Sequence, residues 1–121
     1  MNKYNFEKLN DLNAEFFESA KLSLLDPLGL YLANDVKWIK LNQKWNSLEF
    51  PVVMGGEGQP ILLLHGFDSS FLEFRRIYKS LKRNFQVIVP DLLGFGFSPR
   101  CATNKYNSSK IISHLIDLLK T

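Results

Sequence analysis

The sequence predicts an α/β fold with a parallel sheet, and three observations lead to that prediction. Two short apolar runs, ILLL at 61–64 and FQVIVP at 85–90, have the uninterrupted pattern of strands buried in a parallel sheet. The segment between them is amphipathic at helical spacing, so that strand, helix and strand form a right-handed βαβ unit. The 121 residues, 45% hydrophobic and 22% charged, have the composition of one ordinary folded domain.

Residues 1–33 are expected to form a helical leader that packs on the rest of the chain. The leader has mixed charge, which favours a packed helix over one that lies on a membrane surface. Asp26 and Pro27 are expected to end the helix, and no stretch has the length and apolar character of a membrane span. The apolar residues that recur at helical spacing are Phe6, Leu9, Leu12, Phe16, Ala20 and Leu24.

Residues 34–121 are expected to form the α/β domain. It begins with two strand-like segments, VKWIKL and LEFPVVM, which the polar stretch NQKWNS separates as in a β-hairpin. The glycine-rich turn GGEGQP then leads into the first strand of the βαβ unit.

The helix of the βαβ unit is predicted to begin near Ser70. Ser70 and Glu73 have the spacing of a capping box, and basic residues occupy the predicted last turn. The apolar face of this helix is predicted at Phe71, Phe74, Ile77, Tyr78 and Leu81.

A last helix is predicted from about Ser108. His114 lies within it and is expected to be a surface or boundary residue, because a helix that packs on the sheet lies away from the strand ends where sites form. The predicted apolar face consists of Ile111, Ile112, Leu115, Ile116, Leu118 and Leu119.

Charge and cysteine content restrict the partners. The net charge is +3, but the basic residues are spread among acidic ones, which indicates a solvated surface rather than a nucleic-acid site. Cys101 is the single cysteine, so no intramolecular disulfide is possible, and its neighbours have no metal-ligand spacing. We expect a reducing, cytoplasmic setting, with no metal, nucleic acid or membrane as a partner.

The glycine-rich loops match neither common nucleotide motif. Gly94 and Gly96 follow a strand, as in a dinucleotide fingerprint, but Pro99 stands where the third glycine belongs and no helix begins at once. The turn GGEGQP lacks the Gly-Lys-Ser/Thr of a P-loop. A nucleotide site is therefore disfavoured.

Ser98 lies in GFSPR, one residue short of the G-x-S-x-G pattern of a nucleophilic serine. The residue after such a serine donates its backbone N–H to the oxyanion, and Pro99 has no N–H. Arg100 stands where the turn requires glycine. We predict that Ser98 is not catalytic and that it hydrogen-bonds within a loop turn.

The turn at His65 and Gly66 follows the carboxyl end of a predicted parallel strand, where open α/β sheets bind ligands. There the N–H of Phe67 is a candidate donor to a developing negative charge. The alternative is a plain strand-to-helix turn in which a backbone group satisfies His65, and spacing alone leaves both interpretations open.

The stretch from GEGQP to GFGFS resembles the N-terminal part of α/β-hydrolases. It contains an apolar strand ending in His-Gly-x, a helix, a second strand ending in Pro-Asp, and the pattern D-x-x-G-x-G-x-S. That pattern is met at Asp91, Gly94, Gly96 and Ser98, and the resemblance extends over about residues 36–119.

The resemblance implies a role for each motif residue. The backbone N–H of Phe67 would be one oxyanion donor, His65 would be structural, and Asp91 would lie beside the site without being the triad acid. In this family the nucleophile, the acid and the catalytic histidine come in that order after the helix that here ends at Leu119. All three would then lie beyond Thr121, so the fold would be incomplete and no catalytic residue would be in this chain.

Two functions follow from the resemblance. The first is the N-terminal portion of a hydrolase of ester-like or related small substrates, without a cofactor and inactive alone. The alternative is a non-catalytic remnant or partner-binding half that completes its sheet with another chain. In the isolated chain the ILLL strand would become a sheet edge, because the nucleophile strand that lies beside it in the family is missing, and such an edge favours self-association or poor solubility.

Overall fold

The computed structural model describes residues 5–99 and 107–121, except the side chain of Phe6. Arg100 and Cys101, on which two expectations rest, lie outside the described residues. The remaining chain contains four α-helices and four strands, so the predicted α/β class is confirmed. Within the described residues, no helix is both long and apolar enough to cross a membrane.

The leader contains two helices where one was predicted. Helix α1 (Phe6–Leu22) begins at the N-cap Asn5, and helix α2 (Pro27–Ala33) follows after a short turn. Asp26 accepts the N–H of Leu28 at 2.9 Å, so it caps α2, and Pro27 occupies the first helical turn. Pro27 therefore begins a helix, because an N–H in the first helical turn has no acceptor within the helix and proline loses no hydrogen bond there.

The sheet has four strands in the order β1-β2-β4-β3. Strands β1 (Val36–Lys40) and β2 (Glu49–Gly55) form the predicted antiparallel hairpin. Strand β3 (Gln59–Leu62) is parallel to β4 (Phe85–Pro90), as the βαβ prediction requires, and β4 is antiparallel to β2.

The β3–β4 connection starts with a 3₁₀ turn (Phe71–Phe74), which Ser70 caps, and continues as helix α3 (Arg75–Lys82). Tyr78 is fully buried as predicted, but Ile77 is 47% exposed. The 3₁₀ turn has about 3.0 residues per turn, so it changes the angular position of the residues that follow and removes Ile77 from the predicted face.

Helices cover both faces of the sheet. Successive side chains of a strand point to opposite faces, so Val52 and Val53 of β2 enter different clusters. The cluster that involves α1, α2 and α3 consists of Phe17, Leu32, Ala33, Val53, Phe71, Tyr78, Val87 and Val89. The cluster that involves helix α4 (Ser108–Leu119) consists of Leu41, Trp45, Leu48, Phe50, Val52, Leu93 and Leu118.

Strand β3 lies at the edge of the sheet and is not buried on both faces. Leu62 is 39% exposed and Leu64 is 46% exposed, although β3 has the apolar sequence of a central strand. On α4, three residues of the predicted apolar face are also exposed: Ile112, Ile116 and Leu119. The predicted edge position of the ILLL strand is therefore confirmed, since only β4 pairs with β3 among the described residues, whereas its burial on both faces is not observed.

Candidate active site

The candidate site lies beyond the carboxyl ends of β3 and β4. The two strands are parallel, so the loop after β3 (residues 63–70) and the loop after β4 (residues 91–99) meet at the same edge of the sheet. The residues of the His-Gly-x and D-x-x-G-x-G-x-S motifs all lie in these two loops.

His65 connects the two loops. Its imidazole is buried, and Nε2 lies 3.0 Å from the backbone nitrogen of Leu92, which donates to it. Because a backbone N–H can only donate, Nε2 is the acceptor, and Nδ1 carries the proton and donates to the carbonyl of Gly66 at 2.8 Å. Nε2 also lies 3.9 Å from Asp91 Oδ1, but a neutral imidazole forms no ion pair there.

Asp91 is fully buried and holds two loop segments with one carboxylate. Oδ1 accepts the N–H of Phe71 and Oδ2 accepts the N–H of Phe97, both at 2.7 Å. Charge-assisted bonds to backbone N–H groups are among the stronger protein hydrogen bonds, so Asp91 fixes the second loop against the start of the 3₁₀ turn.

The glycines of the D-x-x-G-x-G-x-S pattern adopt backbone conformations that favour glycine. Gly94 has φ +88° and Gly96 has φ +55°, both in the left-handed region. A Cβ at Gly96 would also overlap the carboxylate of Asp91. The loop after β4 therefore closes tightly around Asp91.

The side chain of Ser98 faces this loop. It is 3% exposed, and Oγ donates to the carbonyl of Asp91 at 2.7 Å. Its backbone N–H donates to the carbonyl of Phe95 at 3.1 Å. The hydroxyl is therefore buried and bonded within its own loop, as a serine that stabilises a turn would be.

Gly66 and Phe67 present a different environment. The N–H of Gly66 donates to Glu73 Oε2 at 3.0 Å, whereas no described residue accepts the N–H of Phe67. The Phe67 side chain is 90% exposed, and its ring lies 5.3 Å from that of Phe95. The sequence did not indicate the Glu73 contact, because a seven-residue separation across a loop belongs to no local motif.

Helix α1 of the leader contacts the site loops through aromatic rings. The Phe17 ring packs edge-on against Phe97 with centroids 4.9 Å apart, and Phe97 stacks on Phe71 at 5.9 Å. Periodicity predicted that the leader packs on the domain but carried no information about which loop it contacts.

His114 is 1% exposed, so its predicted position at the surface is wrong. Its ring packs against Trp45 and Phe50 with centroid distances of 4.9 and 4.2 Å, and its Nε2 has no hydrogen-bond partner. Burial lowers the pKa of His114 to about 4. The residue lies on α4 against β2, away from the site loops. No group of three or more potential metal ligands occurs among the described residues.

Comparisons with known proteins agree with this fold. A family model described as the alpha/beta hydrolase fold matches residues 59–120. Soluble epoxide hydrolase from a Corynebacterium species is 40% identical over 58 residues, which cover 48% of this chain and 20% of that protein. The 2-hydroxymuconate semialdehyde hydrolase of a Pseudomonas species is 33% identical over 67 residues, covering 53% of this chain and 24% of that protein.

A structure of the meta-cleavage product hydrolase from Pseudomonas fluorescens is similar with a TM-score of 0.56 and 29% identity. That match covers 60% of this chain and 28% of the other. The chain spans about a fifth to a quarter of the length of these curated relatives.

Proposed function

This chain belongs to the alpha/beta hydrolase fold family, and from that membership we propose that it is the N-terminal portion of a hydrolase that acts on an ester-like or related small substrate. The relatives named above are hydrolases, which supports a hydrolytic function for the protein to which these residues belong. The compounds in the names of those relatives differ, so the substrate class stays at this general level.

One observation carries the proposal: the N–H of Phe67 has no acceptor among the described residues, while the N–H of the preceding Gly66 donates to Glu73. A backbone N–H that is already oriented stabilises the negative charge that develops on a substrate oxygen, and it needs no reorganisation during the reaction. In this proposal Phe67 N–H is one donor of an oxyanion hole at the end of β3.

The reacting side chains are not among the residues of this site. The Ser98 hydroxyl donates to the carbonyl of Asp91, and the Asp91 carboxylate accepts two backbone N–H groups. Both ring nitrogens of His65 form hydrogen bonds with backbone groups. The proposal therefore assigns the nucleophile, the acid and the catalytic histidine to residues outside these 121, and the chain alone is inactive. Covalent nucleophilic catalysis of this kind needs no metal or organic cofactor.

A second function is supported by the exposed edge of the sheet. Leu62 at the end of β3 and Leu64 just beyond it are exposed, and so are three apolar residues of α4. An open strand edge accepts an additional strand from another chain through backbone hydrogen bonds. The alternative is thus a partner-binding half that completes its sheet with a second chain, or with another copy of itself, in the cytoplasm.

Two measurements test the proposal. A fluorophosphonate probe and a p-nitrophenyl ester assay are applied to the 121-residue chain and to a Ser98→Ala control. We expect no labelling and no hydrolysis above buffer for either protein. Labelling of the unmutated chain that disappears in Ser98→Ala would show that Ser98 is a nucleophile and overturn the assignment.

The coding sequence after the Thr121 codon separates the two functions. A further strand followed by G-x-S-x-G or G-x-D-x-x in any reading frame supports the hydrolase. A second gene product that restores ester hydrolysis when it is co-purified with this chain supports the partner-binding half.

A further inference from the structure

Side chains, not the sheet ladder, hold the backbone of Gly66. Its N–H donates to Glu73 Oε2 at 3.0 Å, and its carbonyl accepts from His65 Nδ1 at 2.8 Å. A Cβ built at Gly66 would meet nothing within 4 Å, so packing does not restrain the turn either. At Gly66 itself, the backbone is therefore held by these two hydrogen bonds.

Those two bonds orient two consecutive peptide planes. The described part of the chain has no cis peptide bond, so the C=O and N–H of each planar peptide unit point in opposite directions. The Gly66 carbonyl points at the buried imidazole of His65, so the N–H of Phe67, in the same plane, points away from that imidazole. The preceding plane carries the N–H of Gly66, which points at Glu73.

Glu73 itself is held by local structure. Its backbone N–H donates to the carbonyl of Ser70 at 3.0 Å, within the turn whose start Asp91 holds through Phe71. In a capping box the Glu73 carboxylate would accept the N–H of Ser70. The carboxylate accepts the N–H of Gly66 instead, so Glu73 links the 3₁₀ turn to the loop after β3.

We propose that Glu73 is a positioning residue for the oxyanion site: it occupies the N–H of Gly66, holds that peptide plane, and so orients the adjacent N–H of Phe67 as a donor. Without Glu73, the N–H of Gly66 would be free beside that of Phe67, and the two would form a small anion-binding concavity with no fixed preference between them. The carboxylate of Glu73 is exposed, so solvent screens its charge. Glu73 therefore acts mainly by orienting the peptide planes of the loop and only weakly through the electrostatic potential of its charge. This inference rests on the proposed function.

Hydrogen exchange of single amides tests the inference. The chain is labelled with ¹⁵N at glycine and phenylalanine, and spectra are recorded at low micromolar concentration. We expect the Gly66 amide to exchange at least about tenfold faster in Glu73→Ala, as expected for the loss of a hydrogen bond to a charged group. Glu73→Gln keeps an acceptor oxygen and should retain most of the protection.

Two internal references show whether an effect is local. The Phe71 amide, held by Asp91, should exchange at an unchanged rate in every variant, and Glu57→Gln, which alters an exposed glutamate away from the loop, should leave Gly66 unchanged. An unchanged Gly66 exchange rate in Glu73→Ala would overturn the inference.

Acetate, a small carboxylate, tests the donor separately. In the unmutated chain we expect acetate to shift the amide resonance of Phe67 and not that of Gly66, whereas in Glu73→Ala both should shift. If acetate leaves Phe67 unmoved while Glu73→Ala still accelerates exchange at Gly66, the Glu73 contact stands and the oxyanion role of Phe67 fails. If Phe67 alone shifts in both proteins, Glu73 does not select the donor and the inference fails.

Discussion

The carboxylate of Asp91 accepts the backbone N–H of Phe71 at 2.7 Å, across a separation of 20 residues. The second oxygen of the same carboxylate accepts the N–H of Phe97 at 2.7 Å. One fully buried side chain thus joins the loop after β4 to the start of the 3₁₀ turn that follows the loop after β3, and the position of the second loop depends on it.

Asp91→Asn should lower the free energy of unfolding by about 2–3 kcal/mol, because either orientation of the amide places an NH₂ donor against one of the two backbone N–H groups. Urea denaturation followed by circular dichroism measures the change. Asp68→Asn is the control, since Asp68 is exposed in the same region and should change stability by less than about 0.5 kcal/mol. Equal stability of the two variants would contradict the role of Asp91.

Two glycines of the site loops, Gly66 and Gly96, should differ in their tolerance of a methyl group. Gly96→Ala places a Cβ into the Asp91 carboxylate at φ +55°, so we expect a loss of about 2 kcal/mol or more. Gly66→Ala meets open space and should be close to neutral. Thermal melts of the two variants make the comparison, and similar losses for both would be evidence against this loop geometry.

Local patterns in the sequence predicted most of the fold, because periodicity and turn chemistry are local properties. The hairpin, β4 and α4 lie where their patterns indicate. Helix α2 was missed because Asp26 followed by Pro27 is a signal both for the end of a helix and for the start of one.

The contacts that define the site were not predictable in the same way. The bonds from Asp91 to Phe71 and from Glu73 to Gly66 join segments that no spacing rule relates. The burial of His114 depends on its packing against Trp45 and Phe50, which are distant from it in the sequence. Such contacts become visible only when the sheet has brought distant segments together.

The buried His114 should make stability depend on pH in a defined window. Burial lowers its pKa from 6.5 to about 4 in the folded chain, so folding favours the neutral ring, and Asp117 on the same helix opposes this only in part. The contribution of the neutral ring is complete above pH 6.5 and is lost as the pH falls toward 4. The loss should reach about 3 kcal/mol.

His114→Leu is the variant that isolates this effect. It removes a buried ring nitrogen without a partner, so at pH 7 it should be as stable as the unmutated chain or slightly more stable. Unfolding free energies measured at pH 7 and pH 5 should differ less in His114→Leu than in the unmutated chain. An equal pH dependence in both proteins would show that His114 is not the group responsible.

The exposed edge of β3 should cause the 121-residue chain to self-associate. Leu62 and Leu64 present apolar side chains beside an edge with no partner strand among the described residues, and such edges template pairing with another chain. Replacing both leucines with lysine should lower the mean molar mass measured by light scattering during size-exclusion chromatography. Leu25→Lys is the matched control, because Leu25 is 95% exposed but lies in the turn before α2, far from the edge strand in the sequence. If Leu25→Lys lowers the molar mass as much as the double variant does, general surface hydrophobicity and not the strand edge drives association. If the unmutated chain is monomeric and melts cooperatively, the prediction itself is contradicted.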